Sequence, residues 1–213
     1  MSTRLTLAAA VAAALAAPSA AFAHVTVHPN SIPSGGFTVL TIRVPNEIDN
    51  ARTKRVDVKL PNGFISVSYQ PVPGWSVQIK TTKLAKPVVN DDGVRVTSQV
   101  SRVIFTSRTG LGKHQYMDFP LSVAVPAAKP GSTLTFKALQ TYSNGKIVRW
   151  IGSPSTDNPA PQVLVASKGS PARDYPAGIS AARSTQSAML GGVAVGAVGI
   201  AGLGLAVRRR RSA

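Results

Sequence analysis

The chain of 213 residues is 44% hydrophobic, has no cysteine, and sets 24 Lys and Arg against 8 Asp and Glu, a formal net charge of +16. Without cysteine there are no disulfides, thiolate metal sites or cysteine nucleophiles, so a folded domain here is held by packing alone. No phosphate-binding glycine loop, Ser-His-Asp set or paired-carboxylate site is evident, which sets aside phosphoryl and glycosyl transfer.

The first segment, 1–23, carries Arg4, then an Ala- and Leu-rich run, Pro18 and the small-residue pattern Ala21-Phe22-Ala23. This is the pattern of a secretory signal with an A-x-A cleavage site. Cleavage after Ala23 would make His24 the first residue of the mature chain. Residues 24–166 then form one domain's worth of chain, enough to bury a core. Within it, short β-branched and aromatic runs at 37–44, 55–60, 66–69, 76–81, 94–105, 115–125 and 133–143 are separated by turn signals. These fall at Pro61-Asn62-Gly63, Pro73-Gly74, Asp91-Asp92-Gly93, Pro130-Gly131 and Asn144-Gly145. Short strands at this spacing, with no amphipathic helix among them, predict an all-β antiparallel sandwich or barrel. The Asn144-Gly145 pair predicts a hairpin closed by a type I′ turn, with a return strand over 146–151.

After Val165 the composition changes to Ser, Gly, Ala, Pro and Arg, and 167–187 reads as a flexible stalk. Residues 188–207 are an unbroken apolar run, followed by Arg208 to Arg211 within the tail 208–213. A helix needs about 20 such residues to cross the hydrocarbon core, and the arginines mark the cytoplasmic side. The expected arrangement is a single-pass anchor with the domain on the extracytoplasmic face. Leaving out Arg4 and the four terminal arginines gives 19 basic against 8 acidic residues on the external portion, a net +11. The bases are scattered over several strands without interleaved aromatics. A solvated surface attracted to anionic lipid and wall polymer is expected, and no nucleic acid.

An N-terminal His can close a chelate ring on one metal ion through its free amine and its imidazole, and copper(II) favours such nitrogen donors. The domain has two further histidines, His28 and His114, and one methionine, Met117, so a sulfur-rich copper(I) site is excluded. In an extended strand His28 would lie about 13 Å from His24, too far to share an ion. His114, beside Lys113, reads as a loop residue. Glu47, the only glutamate, could add a carboxylate oxygen, or could instead pair with Arg43 or Arg52; Asp49 is a second carboxylate in the same segment.

The start His24-Val25-Thr26-Val27 with Pro29, then Val44-Pro45-Asn46-Glu47, Pro73-Gly74-Trp75, Trp150-Ile151-Gly152 and Pro159-Ala160-Pro161, resembles the YcnI-type copper-binding domain family. The likeness spans 24–166, and the signal peptide and C-terminal anchor match that family's layout. The resemblance implies an antiparallel β-sandwich, immunoglobulin- or cupredoxin-like, that binds one copper(II) ion in a single-histidine brace. His24 would supply amine and imidazole, Glu47 its carboxylate, and Trp150 an indole beside the metal. A protonated indole nitrogen is a poor donor, so Trp150 reads as a wall that shields and orients the ion, with a cation–π contribution. Trp75 reads as core. The implied partners are the copper ion and the proteins that give or take it, and no catalytic residue is assigned.

The expected function is that of a membrane-tethered copper(II) chaperone or sequestering module. Two alternatives stand beside it. An oxidative copper enzyme would need a second histidine that neither His28 nor His114 is placed to supply, and an adhesive wall-binding sandwich would leave His24 incidental.

Overall fold

A computed structural model describes residues 24–46, 48–90 and 92–175. The segments read as signal peptide, membrane helix and basic tail lie outside the described residues, as do Glu47 and the linker beyond Tyr175. No helix among the described residues is long and apolar enough to cross a membrane.

All regular structure described is β. The strands are β1 (Thr26–His28), β2 (Ser31–Pro33), β3 (Phe37–Asn46), β4 (Thr53–Lys59), β5 (Val67–Tyr69), β6 (Ser76–Val89), β7 (Arg95–Leu111), β8 (Gln115–Ala124), β9 (Thr133–Thr135), β10 (Lys137–Tyr142), β11 (Ile147–Trp150) and β12 (Gln162–Ala166). They form a four-stranded sheet in the order β1-β3-β8-β5 and a five-stranded sheet in the order β11-β10-β4-β7-β6. A small third sheet, β2-β12-β9, lies beside them, with β2 and β12 parallel.

Period-two alternation explains why the two larger sheets pack face to face. Along β3, Leu40, Ile42 and Val44 are fully buried while Thr41 and Arg43 turn outward. On β8 the inward residues are Phe119, Leu121 and Val123. The opposite sheet answers with Val56 and Val58 from β4, Val103 and Phe105 from β7, and Ala138 from β10. Phe119 is the hinge of this packing. Its ring stacks on Phe105 at 4.1 Å and meets Trp75 edge-on at 4.9 Å. Trp75 is therefore packed against the core.

The sequence patterns and the strands agree in place more than in extent. The run 133–143 is two strands, because the chain changes sheets at the buried Phe136: β9 pairs with β12, whereas β10 pairs with β4 and β11. The run 76–81 continues to Val89. Its second half defeats the alternation pattern, since Pro87 cannot donate to a ladder and residues 84–87 bulge out between the Lys83–Ser98 and Val88–Val96 pairs. The Asn144-Gly145 hairpin forms, but not with a type I′ turn. Gly145 has φ +82°, while Asn144 does not share it, His114 being the sole non-glycine residue with positive φ among those described. Gly145 N–H donates to the Tyr142 carbonyl and Tyr142 N–H to the Lys146 carbonyl. That is a type I turn closed by a left-handed glycine, the geometry of a three-residue hairpin loop.

The described part of the 167–187 linker stays against the domain. Ser31 and Arg173 exchange two backbone hydrogen bonds of 2.9 Å, and the Asn30 side chain bonds both the carbonyl and the N–H of Tyr175. Composition, which marks this stretch as a flexible stalk, cannot register a backbone match to Asn30 and Ser31.

Replacing Phe119 with Ala should remove the contact between the sheets and cost about 3 to 5 kcal/mol of stability, measured by urea unfolding of the domain.

Candidate metal centre

His24 is placed by the strand that follows it. Val25 and Val27 are each 2% exposed, so the start of the domain is fixed by burial. Thr26 pairs with Arg43 of β3, which puts His24 beside the end of β3 that carries Pro45 and Asn46. Strand β1 is an edge of the four-stranded sheet and β11 an edge of the five-stranded one. Across these edges the His24 imidazole meets the Trp150 ring at 5.5 Å between centroids, with an interplanar angle of 64°. Two residues 126 positions apart thus share one half-buried corner.

Trp150 is held from behind. Its indole N–H donates to the Gln140 side-chain oxygen at 3.0 Å, and the Gln140 amide donates to the Pro45 carbonyl and the Thr53 hydroxyl, each at 2.8 Å. Gln140 and Thr53 are fully buried. An amide that deep must have its polar atoms paired, and these three bonds pair them. Because the indole N–H is committed to Gln140, Trp150 offers the corner the surface of its ring and not its nitrogen.

Asn46 frames the next segment. Its side-chain NH2, in a residue 1% exposed, donates to the carbonyls of Ala51 and Leu111, while its oxygen accepts the Ile48 N–H. The chain on both sides of Glu47 is therefore pinned, although Glu47 itself is outside the described residues. The cations that could have neutralised Glu47 have other partners. Arg43 grips Asp118 with two bonds of 2.8 Å and lies over the Tyr116 ring, and Arg52 donates to the carbonyls of Thr109 and Gly110. The hydrogen bond to Asp118 raises the Arg43 guanidinium above its ordinary value, so it stays charged at any working pH.

The remaining candidates are apart from this corner. Asp49 is exposed and bonded to Lys113 at 2.8 Å, and that bond, with the lysine's charge, holds its carboxyl below the ordinary 3.8. It is ionised throughout the neutral range, and the contact is lost only as pH falls through the lowered value. His28 Nδ1 donates to Asp174 at 2.9 Å and its Nε2 is bonded to the Thr26 hydroxyl at the same distance. His114 sits exposed on the turn before β8. Among the described residues no three His, Cys, Asp or Glu side chains cluster for a metal ion.

Gln140 is not among the residues that motif or likeness singles out. One signal was available: in β10 the buried positions are Ala138, Gln140 and Tyr142, so a glutamine occupies an inward position of a strand whose neighbours are core residues.

Two packed antiparallel sheets with this corner at their edge are an immunoglobulin-like β-sandwich, as comparison with a solved structure bears out. An uncharacterised protein from Nocardia farcinica with an immunoglobulin-like fold is 31% identical, covers 68% of this chain and 100% of its own, and superposes with a TM-score of 0.53. The chain belongs to the family described as domain of unknown function DUF1775, whose model matches residues 24–165. A relative in Bacillus subtilis (strain 168), the copper-binding protein CutI, is 30% identical over 139 residues, which are 65% of this chain and 60% of that protein's length. The family likeness drawn from the motifs is thereby confirmed.

Gln140→Leu should strand the Trp150 N–H, the Pro45 carbonyl and the Thr53 hydroxyl in the core. A loss of about 3 kcal/mol is expected on unfolding in urea, with a shifted tryptophan emission maximum in the folded state.

Proposed function

We propose that this chain is an extracytoplasmic, membrane-tethered copper(II)-binding protein, a chaperone or sequestering module that holds one ion at His24. The single observation that carries the reading is the His24 imidazole set against a Trp150 ring whose position is locked by Gln140. The relative named for copper binding supports the choice of metal. His24 would contribute imidazole and amine nitrogens, Glu47 a carboxylate, and Trp150 an apolar wall with a cation–π contribution. The donor chemistry suits copper(II), which takes nitrogen and oxygen ligands without sulfur. Copper is here the cargo, passed to and from donor and acceptor proteins.

The amine exists only after the predicted signal is removed at Ala23, so export and site formation would be one event. The C-terminal apolar run 188–207 would keep the product at the membrane. Oxidative chemistry of the kind that uses two histidines is the weaker reading, because His28 is occupied by Asp174 and Thr26.

Copper(II) titration of protein beginning at His24, compared with protein carrying one extra residue before it, tests the brace. Affinity should fall by at least about tenfold with the extra residue, and also in Glu47→Gln; equal affinities with an unchanged copper spectrum would refute the assignment. Both nitrogen donors bind copper only in their unprotonated forms, so protons compete with the ion for them. Copper affinity should therefore fall steadily as pH is lowered from 8 to about 5.5, and a flat profile would count against this ligand set.

A further inference from the structure

The outward face of the five-stranded sheet takes no part in the metal corner, and its charges fall in a regular order. Lys137 is paired with Lys59, Lys59 with Arg102, and Arg102 with Lys80, on β10, β4, β7 and β6 in turn. The chain neighbours Ala138, Val58 and Val103 are fully buried and Ile79 packs against the core, so alternation turns all four cations to the outer side. Neighbouring strands lie about 4.8 Å apart, which makes a straight row about 14 Å long. Arg149 and Arg55 face the same way in the two rows beyond. Against these six cations the five strands hold one carboxylate, Asp57, which is largely buried and takes Arg102 at 2.6 Å and Arg55 at 3.5 Å. Arg102 commits only Nη1 to it. Lys59, Lys80 and Lys137 are exposed, and none forms an ion pair with a described carboxylate.

Like charges set directly opposite one another destabilise a sheet, so the row is a standing cost of the fold until an anion is laid along it. Its shape selects the anion. A single small anion gains little from exposed side chains in water. A chain that carries several charges meets the second, third and fourth cation without a new encounter, and it releases the counterions gathered there. The row also ends at a sheet edge on each side. Strand β6 is outermost, and at Lys137 no strand is paired beyond β10, because β11 stops at Trp150 opposite Ala138. A polymer can therefore cross the face and continue past it. No aromatic ring stands among the outward residues of these strands, so nucleic-acid bases would find no platform to stack on. In a phosphodiester polymer the charges lie on the chain itself, with freely turning bonds between them, and successive phosphates can follow a straight row.

We propose that this row is a binding track for a linear, base-free phosphodiester polymer, whose successive phosphates rest on Lys137, Lys59, Arg102 and Lys80. The lysines act as mobile point charges, while Arg102, braced by Asp57, offers its remaining N–H groups as a fork. Arg55 and Arg149 add to the field that draws the polymer to the face. The track is on the outer side of the sheet, whereas Gln140 holds Trp150 on the inner side. Polymer and metal are thus held independently, and either reading survives the failure of the other.

The test titrates the full chain, in a neutral detergent, with fluorescently labelled poly(glycerol phosphate) and follows anisotropy. Binding is expected with a slope of about −3 in log affinity against log salt, from four contacts at about 0.7 each; no binding refutes the track. Lys59→Gln, Lys80→Gln and Lys137→Gln together should weaken binding at least about tenfold and flatten the slope to about −1. The same change of charge at Lys86, Lys129 and Lys168, which are exposed and outside the row, should leave the slope as it was. An equal loss in both triple variants overturns the track, since net charge alone would then explain binding. The row variant should unfold at no lower urea concentration than the parent, because opposed like charges have been removed, and a lower midpoint counts against an uncompensated row. Glycerol phosphate, phosphatidylglycerol in the micelle and polyglutamate, each at equal charge, should compete at least about tenfold less well than the polymer. Equal competition by any of them replaces the named partner with a small anion, a lipid headgroup or a polycarboxylate, and tighter binding of oligothymidylate replaces it with a nucleic acid.

Discussion

One buried amide organises this molecule. Gln140 lies in the five-stranded sheet, receives the indole N–H of Trp150 on the edge strand, and donates both to Thr53 on the neighbouring strand and to Pro45 in the facing sheet. Apolar packing between two sheets has no direction and tolerates sliding, whereas three hydrogen bonds from one planar group do not. A side chain without exposure thereby fixes how the end of β3 stands relative to Trp150, and with it the corner in which His24 lies. Asn46 does the same for the following turn by tying β3 to Ala51 and Leu111. The site is rigid on the protein side because both fastenings are in the core and neither belongs to a loop.

The distribution of charge has a related logic. The chain is strongly basic, yet the described carboxylates are mostly engaged: Asp118 with Arg43, Asp57 with Arg102, Asp49 with Lys113 and Asp174 with His28. Asp57 is the most sheltered of these and sits between Arg102 and Arg55. Each pair is modest in water, and together they leave few acidic groups to attract a cation without design. Against that background the segment bracketed by Asn46 and Ile48 gains interest as the place for a metal carboxylate.

Much of the fold was legible because alternation is a direct print of a two-sided sheet. Strands β3, β4 and β8 fall where the pattern put them, since one face of each is buried and the other wet. Legibility failed where a residue served two masters. Phe136 is one apolar residue inside a continuous run, and only pairing partners reveal that the chain changes sheets there. The far half of β6 has no buried face to imprint a pattern. Asn-Gly permits a type I′ turn and also a type I turn with a left-handed glycine, and the flanking strand register selected the latter. At the corner, His24 and Trp150 were singled out by chemistry and likeness and lie side by side, whereas Gln140 matches no motif. Its importance arises from where it is buried.

The stitching of Arg173 and Tyr175 to Ser31 and Asn30 also has a mechanical meaning. A pull that enters the domain from its C-terminal side is taken first by those backbone pairs and by Asp174 on His28 and Asn30. The ladder there is short, so it would peel one pair at a time under load, lengthening the leash before any strain reached β12 or the core. The sandwich is in effect mounted on a fuse, and its core ladders are loaded only once those pairs have parted.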